Sequence, residues 1–299
     1  MISVLIPVYN YNVINLVTSI KSQLQLANID YEIICIDDAS TEYFNQNNEL
    51  QELKNVAFYK LTNNIGRSKI RNLLVDKSKF EWLLFLDSDV IPENNNFIKE
   101  YLNCIHSNEA KVYCGGIKYD VTKPVKDKIL RWFYGKNREE VNSVVRNEKP
   151  YQYFFGANFL IHKSVFNTCK FNENIVKYGY EDVFFVEDLR RNNIVLLQVS
   201  NEVYHLGIEY NSVFLYKTKE AIENLYHFSY LNNFTADNIK ILNTYYKIEK
   251  YKLSWLFSNL YKLFHNLFEY NLKSKYPSMF IFDLYKLTYF CFLSKNNLA

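Results

Sequence analysis

Trp82-Leu83-Leu84-Phe85-Leu86-Asp87-Ser88-Asp89 decides how this chain folds. Five apolar residues run without alternation, the pattern of a strand buried on both faces. The run stops at two carboxylates separated by one residue. Two carboxylates so placed can converge on one divalent cation, and hard oxygen ligands suit Mg²⁺ or Mn²⁺. Acidic pairs are also common loop residues, so the spacing alone is a weak signal. Its place at the end of a buried strand gives it weight.

Moving outward, the same strand-then-polar-cluster grammar repeats. Ile2–Ile6 is an apolar run ending at Pro7, and Val13, Leu16, Val17, Ile20 and Leu24 then recur at helical spacing. Tyr31–Ile36 is a second run, closing at Asp37-Asp38. Val56–Leu61 reads as a third strand, followed by a helix with Ile70, Leu73 and Leu74 on one face. After Asp89, Phe97, Ile98, Tyr101, Leu102 and Ile105 mark another helix. This β-α-β-α order argues for an α/β fold with a mostly parallel sheet flanked by helices. Ligands bind such sheets beyond the carboxyl ends of the strands. Pro7–Asn10, Asp37–Ser40, Asn63–Gly66 and Asp87–Asp89 all lie there.

Farther on, Lys118 to Pro150 is charged and reads as a loop-rich excursion with a helix near Ile129–Tyr134. Tyr153–His162 reads as a strand, Glu181–Arg191 as a helix, and Ile194–Val199 and Val203–Leu206 as short strands. From about Tyr210 turn residues nearly vanish, and Leu, Tyr, Phe and Lys recur at helical spacings. The expected organisation is an α/β domain over residues 1–225, in two parts near 1–115 and 116–225. A helical extension over 226–299 follows.

Composition narrows the field. The 299 residues carry a net charge of +3, too small to argue for nucleic acid. Tyr and Phe are abundant, with 26 and 23 copies, a usage that follows from an AT-rich genome or serves sugar stacking and membrane interfaces. Met1–Ile6 lacks the basic flank and cleavage site of a signal peptide. No apolar stretch reaches the roughly 18 residues of a spanning helix. Five scattered cysteines fit neither a disulfide framework nor a zinc site. A cytoplasmic location is the simplest expectation.

Four further elements bear chemistry. A carboxylate of Asp37-Asp38 can accept a hydrogen bond from a base N–H, or can cap a turn with Ser40 or Thr41. Gly66 opens a helix with Arg67, Lys69 and Arg71 in its first two turns. Cations there oppose the helix dipole, so a nearby diphosphate would explain them, and a basic solvent face is the plainer alternative. Glu181-Asp182 opens a helix, which is good capping chemistry and also the place for a general base. Glu187-Asp188 lies mid-helix and reads as solvent-facing. His205, in Tyr204-His205-Leu206-Gly207, reads as a packed side chain unless a metal site exists for its imidazole to complete. His106, His162, His227 and His265 carry only the packing reading.

Taken in order, Pro7-Val8-Tyr9-Asn10, Asp37-Asp38-Ala39-Ser40, Asn64-x-Gly66-x₄-Arg71-Asn72, Asp87-Ser88-Asp89, Gly179-Tyr180-Glu181-Asp182 and His205 resemble the inverting family-2 glycosyltransferases of GT-A fold. Tyr153–Leu206 is similar to the galactosyltransferase-like segment of bacterial members, through Phe155-Gly156-Ala157-Asn158-Phe159-Leu160 and His205-Leu206-Gly207. The resemblance covers about residues 1–225 and implies a catalytic domain there, with a nucleotide half near 1–115 and an acceptor half near 116–225. It implies that Pro7, Val8 and Tyr9 line a uracil pocket, beside Asn10, and that Asp38 binds the base. It implies that Asn64, Gly66 and Arg71 lie near the nucleotide or diphosphate. Asp87 and Ser88 would be at the ribose, with Asp87 also at the metal. Asp89 and His205 would ligate Mn²⁺ or Mg²⁺. Asp182 would be the catalytic base, and Glu181 would contact a sugar. Members often carry Trp near the Gly-x-Glu-Asp motif, where Tyr178 or Tyr180 stands here.

The implied activity moves galactose or an N-acetylhexosamine from a UDP-sugar to a glycan or lipid-linked glycan. A sugar-phosphate nucleotidyltransferase would show a Gly-rich, Arg-containing loop where Pro7-Val8-Tyr9-Asn10 stands. A glycan-binding scaffold on a degenerate transferase would have little reason to keep Asp89, Asp182 and His205 together. From Lys240 onward nine lysines face three acids, interleaved with Leu, Phe and Tyr. Those helices can pack on the catalytic domain, join a second subunit in a homo-oligomer, or rest peripherally on the inner face of a membrane.

Overall fold

The computed structural model describes residues 1–175, 178–231 and 239–296. The elements run β1 (Ile2–Val8), α1 (Ile14–Leu26), β2 (Tyr31–Asp37), α2 (Phe44–Asn48), β3 (Val56–Lys60), α3 (Arg67–Lys77), β4 (Trp82–Leu86), β5 (Val90–Pro92) and α4 (Phe97–Ser107). They continue with β6 (Val112–Cys114), β7 (Ile117–Lys118), α5 (Ile129–Arg138), α6 (Ser143–Glu148), β8 (Asn158–His162), α7 (Glu181–Arg191), β9 (Leu196–Gln198) and β10 (Val203–His205). The helices α8 (Asn211–Leu231), α9 (Lys240–Lys250), α10 (Ser254–Leu272) and α11 (Met279–Asn296) complete the strands and α-helices of the described residues.

The chain forms two compact units. The first comprises Met1–Asp120, Arg138–Val176 and Glu181–Gly207. Its main sheet has seven strands in the order β3-β2-β1-β4-β8-β6-β9. β1 pairs in parallel with β2 and β4, and β2 with β3. β8 runs antiparallel to β4 and β6, while β9 is parallel to β6. The α/β class with a mostly parallel sheet is therefore as the repeating grammar implied. β1 and β4 are central, and Val4, Leu5, Leu83, Leu84, Phe85 and Leu86 are wholly buried. Each such side chain contributes about 1.5–3 kcal/mol on leaving water, which fixes where β4 ends and its carboxylates begin. The one polar side chain inside β1, Ser3, donates its hydroxyl to Glu32 at 2.7 Å. On one face, Ile70, Leu74 and Val75 of α3 share a core with Phe85, Phe159, Phe171 and Phe185.

A second sheet of three short strands, ordered β5-β10-β7, stands beside the carboxyl end of β4. β10 is antiparallel to β5, with His205 opposite Val90, and parallel to β7. Tyr153–His162 is only partly a strand: Pro150–Tyr153 forms a 3₁₀ turn, and pairing begins at Asn158. The charged excursion before it holds a second short helix, α6.

The second unit comprises Val121–Asn137, Lys177–Tyr180 and Ile208–Ala299 and is helical in its described part. α11 packs against α8, α9 and α10. Tyr261 of α10 meets Tyr285, Tyr289 and Phe292 of α11 with ring centroids 5.0–6.0 Å apart. Glu269 accepts hydrogen bonds from Lys219, Lys273 and Tyr285. No described helix is long and apolar enough to cross a membrane.

Candidate active site

The carboxyl ends of β1, β2 and β4 are laced into one rim. Asn10, in the left-handed region at φ 48°, donates its amide N–H to Ser40 Oγ at 2.8 Å. Its Oδ1 accepts from the amides of Thr41 and Glu42 at 2.8 and 3.2 Å. Asp38 N–H donates to the Val8 carbonyl at 2.8 Å. Asp38 Oδ1 and Oδ2 accept from Ile65 N–H and Gly66 N–H at 2.7 and 3.0 Å, and Asn64 Nδ2 donates to the Asp38 carbonyl at 3.1 Å. Burial pushes the Asp38 carboxyl up, against those two amides that favour its ionised form. Asp38 thus ties the turn that launches α3, and Gly66, at φ 83°, is the helix's N-terminal cap residue. Tyr9 is exposed beside this rim, and Pro7 is partly buried. Asp37 caps its own turn, accepting from Ser40 N–H at 2.7 Å. Its buried Oδ2 has no hydrogen-bond partner among the described residues.

The cations of α3 face carboxylates. Arg71, 1 % exposed, places Nη2 at 2.8 Å from Asp87 Oδ1 and Nη1 at 3.7 Å from Glu181 Oε1. Arg67 places Nη2 at 3.3 Å from Asp87 Oδ2 and Nε at 2.5 Å from Glu181 Oε1. Asp87 and Glu181 therefore supply the negative charge that offsets these guanidinium groups within the protein. Lys69 points to solvent. Burial drives the Glu181 carboxyl upward, but Arg67 and then Arg71 outweigh it and hold it below its ordinary value.

Asp182, the next residue, behaves oppositely. Its Oδ2 accepts from Gly156 N–H at 3.0 Å, and its buried Oδ1 has no partner among the described residues. Burial first, then the charge of Glu181, push its carboxyl up to about 6, with Arg71 and Arg67 pulling the other way. Two adjacent carboxylates are thus driven apart, the pattern that separates a charged anchor from a proton acceptor. Gly156 permits the close approach: a Cβ there would lie 2.5 Å from Asp182 Oδ1.

Asp89 and His205 come together through the small sheet. His205 Nε2 lies 3.5 Å from Asp89 Oδ2, and Leu206 N–H donates to the Asp89 carbonyl at 2.7 Å. The His205 ring is stacked on buried Tyr119 at 5.5 Å between centroids. A carboxylate and an imidazole, both partly open to solvent, are competent donors for a divalent first-row cation. Among the described residues no group of three or more His, Cys, Asp or Glu side chains is placed to hold one. Asp87 is turned to the two arginines. Asp89 and His205 are thus the two candidate donors that the small sheet brings together. Ser88 lies in the turn between the two acids.

Other residues depart from the sequence reading. Glu187 is 3 % exposed rather than solvent-facing, because Arg190 and Arg191 fold back over it at 2.5 and 3.2 Å. Tyr178 belongs to the second unit, where its ring lies 4.9 Å from Lys217 Nζ. Tyr180 holds φ 66° at the turn into α7. Arg146, an unremarked member of the charged excursion, is fully buried. It donates to the carbonyls of Val141, Gly115 and Val199 and to Gln198 Oε1. A cavity of about 190 Å³ lined by Tyr31, Glu32, Asn55 and Lys79 opens at the amino ends of β2 and β3 and contains none of the candidate residues.

An open α/β sheet with its acidic residues gathered at the carboxyl edge, closed by an antiparallel strand and a small side sheet, is the GT-A type of architecture. Structures of S. aureus TarS 1-349 share this fold, with a TM-score of 0.50 and 17 % identity over 100 % of this chain and 92 % of that one. The complex of the same fragment with UDP-GlcNAc gives 0.52 and 18 %, over 99 % and 92 %. The family model described as glycosyl transferase family 2 matches residues 3–170. The chain belongs to that family. An uncharacterized glycosyltransferase of Rickettsia bellii (strain RML369-C) is 32 % identical over 129 residues, 39 % of this chain. The matched stretch spans 18 % of that relative's length.

Proposed function

We propose that this chain transfers a sugar, of galactose or N-acetylhexosamine type, from a UDP-sugar to a hydroxyl of a glycan or lipid-linked glycan, inverting the anomeric centre. The observation that carries the reading is the buried Oδ1 of Asp182, which has no hydrogen-bond partner among the described residues, on a carboxyl pushed up to about 6. A carboxylate ionised at neutral pH but more basic than usual suits the removal of a hydroxyl proton. The structures of TarS with UDP and with UDP-GlcNAc support a uridine nucleotide as the donor's handle.

In this reading Oδ1 of Asp182 takes the acceptor proton as the acceptor oxygen attacks the anomeric carbon. Gly156 N–H holds the other carboxyl oxygen, so the base presents one fixed lone pair. The rim of Pro7, Val8, Tyr9, Asn10, Asp38, Asn64 and Gly66 receives the base and ribose, with the free lone pairs of Asp38 as acceptors. Arg67 and Arg71 set Asp87 and Glu181 in place. Glu181 keeps negative charge beside the base and so sustains its affinity for a proton. Asp89 and His205 would hold Mn²⁺ or Mg²⁺, which when bound supplies positive charge to the leaving diphosphate.

The test is a donor screen for UDP release with the wild-type chain and Asp182→Asn, together with UDP calorimetry. The variant is expected to lose transfer while binding UDP as tightly as the wild type. Loss of both functions in a folded variant would reassign Asp182 to structure, and a wild-type chain that neither binds UDP nor consumes any nucleotide-sugar would end the proposal.

A further inference from the structure

α10 is amphipathic the wrong way round for a helix that ends in solvent. Its inward face buries Ser254, Ser258, Tyr261, Phe268 and Leu272. Its outward face exposes Trp255, Leu256, Leu263, Phe264, Leu267 and Tyr270, each between 42 and 78 % accessible. At 100° per residue Leu256, Leu263, Leu267 and Tyr270 fall on one narrow stripe, with Trp255 and Phe264 on its shoulders. Apolar side chains in such a contiguous line mark a surface that meets something.

The charge around the stripe says what. Lys250 and Lys252 precede α10, Lys262 lies on its flank and Lys275 follows its end, all exposed. Lys262 and Lys275 lie 5.7 and 5.8 Å from the Phe292 and Tyr276 rings, and none of the four has a carboxylate partner among the described residues. The acids of the segment are already engaged: Glu249 with Lys295, Glu269 with Lys219 and Lys273, and Asp283 with Lys286. The stripe is therefore edged by uncompensated positive charge. A second copy of this chain docking through the same stripe would set these lysines against their own equivalents, since a two-fold interface repeats one patch on both sides.

We propose that the outward face of α10 lies in the surface of an anionic lipid bilayer, its apolar stripe at the acyl boundary and its lysines among the headgroups. Helices with this division of residues bind in the interface plane without crossing it, and Trp and Tyr favour that depth. The inference extends the proposed reading, in which the acceptor is a glycan or lipid-linked glycan, but stands on the second unit alone.

The experiment is vesicle flotation of the full chain on phosphatidylcholine and on phosphatidylcholine mixed with phosphatidylglycerol. The chain should float with the anionic vesicles, and added salt should weaken this. Leu263→Glu with Leu267→Glu should abolish flotation while thermal melting is unchanged, because both side chains are exposed. Lys250→Gln and Lys252→Gln should each weaken binding to anionic vesicles by about fivefold. Equal binding to both vesicle types, no flotation at all, or a lipid-free dimer dispersed by the Leu263→Glu pair would each overturn the proposal. UDP release measured in parallel separates the two readings: its absence from a chain that floats would sink the activity and leave the lipid surface standing.

Discussion

Arg71 Nη2 sits 2.8 Å from Asp87 Oδ1, so the first acid of the Asp-Ser-Asp run is tied to the helix that follows β3. The pairing divides the labour between two carboxylates that look equivalent in sequence. Asp87 is spoken for by guanidinium groups, while Asp89 turns toward His205 at 3.5 Å. The two cations at the start of α3, unfavourable to its dipole, are stabilised by Asp87 and Glu181.

As the proposed base, Asp182 has to be ionised to accept a proton, so transfer should follow its titration. Its carboxyl lies at about 6, so the rate should climb as pH rises through that value and level off above it. A pH profile of kcat under saturating donor measures this. A rate that is flat from about pH 5 to 8 would remove Asp182 from the rate-determining proton transfer.

Stability should respond in the opposite sense. The folded carboxyl binds its proton more tightly than an ordinary Asp at 3.8, so the folded state holds more protons between about pH 4 and 6. The stability this contributes is present below that window and lost as pH rises through it. Asp182→Asn removes the cost of the buried charge. Its Tm should exceed that of the wild type near pH 8, and the gap should close toward pH 4.

The neighbours of Asp182 should move its titration in opposite directions. Glu181→Gln deletes a negative charge and frees Arg67 and Arg71, so the acid limb of the rate should shift to lower pH. Arg71→Met deletes a cation, so any residual activity should show its limb at higher pH. Arg71→Met should also cost about 3–5 kcal/mol in urea unfolding, because it strips a buried partner from charged groups. Shifts of the same sign in both variants would rule out this electrostatic account.

Gly207→Ala tests the proposed cation site without replacing either of its two donors. A Cβ at that position would lie 1.9 Å from Asp89 Oδ2, and the partly exposed Asp89 side chain can only swing away. The variant should melt within about 1–3 kcal/mol of the wild type, while stimulation of UDP release by Mn²⁺ should fall at least about tenfold. Unchanged Mn²⁺ dependence would place the cation elsewhere.

Much of this molecule is legible in its sequence where local pattern and burial agree. Trp82–Leu86 and Glu181–Arg191 have the same bounds in the reading and in the structure, because each is a continuous signal closed by charge. β5, β6 and β7 escape the reading because strands of two or three residues carry no period, and their partners come from remote sequence. Tyr153–Phe155 mimics a strand by its aromatic residues, yet the chain must turn there so that Gly156 N–H can reach Asp182. Arg146 escapes notice because a lone arginine in a charged stretch resembles surface. Its partners, the carbonyls of Gly115, Val141 and Val199 and the Gln198 side chain, converge only in space. The arginine–carboxylate quartet is half legible: its members are conspicuous, but their mutual neutralisation needs the third dimension.

The small β5-β10-β7 sheet sets an order of events for a growing chain. Asp89 leaves the ribosome early, with β4 already able to pair with β1, but its imidazole partner rides on the last strand of the first unit. A nascent chain therefore carries the acid without its companion until synthesis has passed His205, and it is the pairing of β10 with β5 that sets the two side chains side by side. Any product of premature termination before that strand would keep much of the main sheet and lack the donor pair, so completeness of synthesis is built into the site itself.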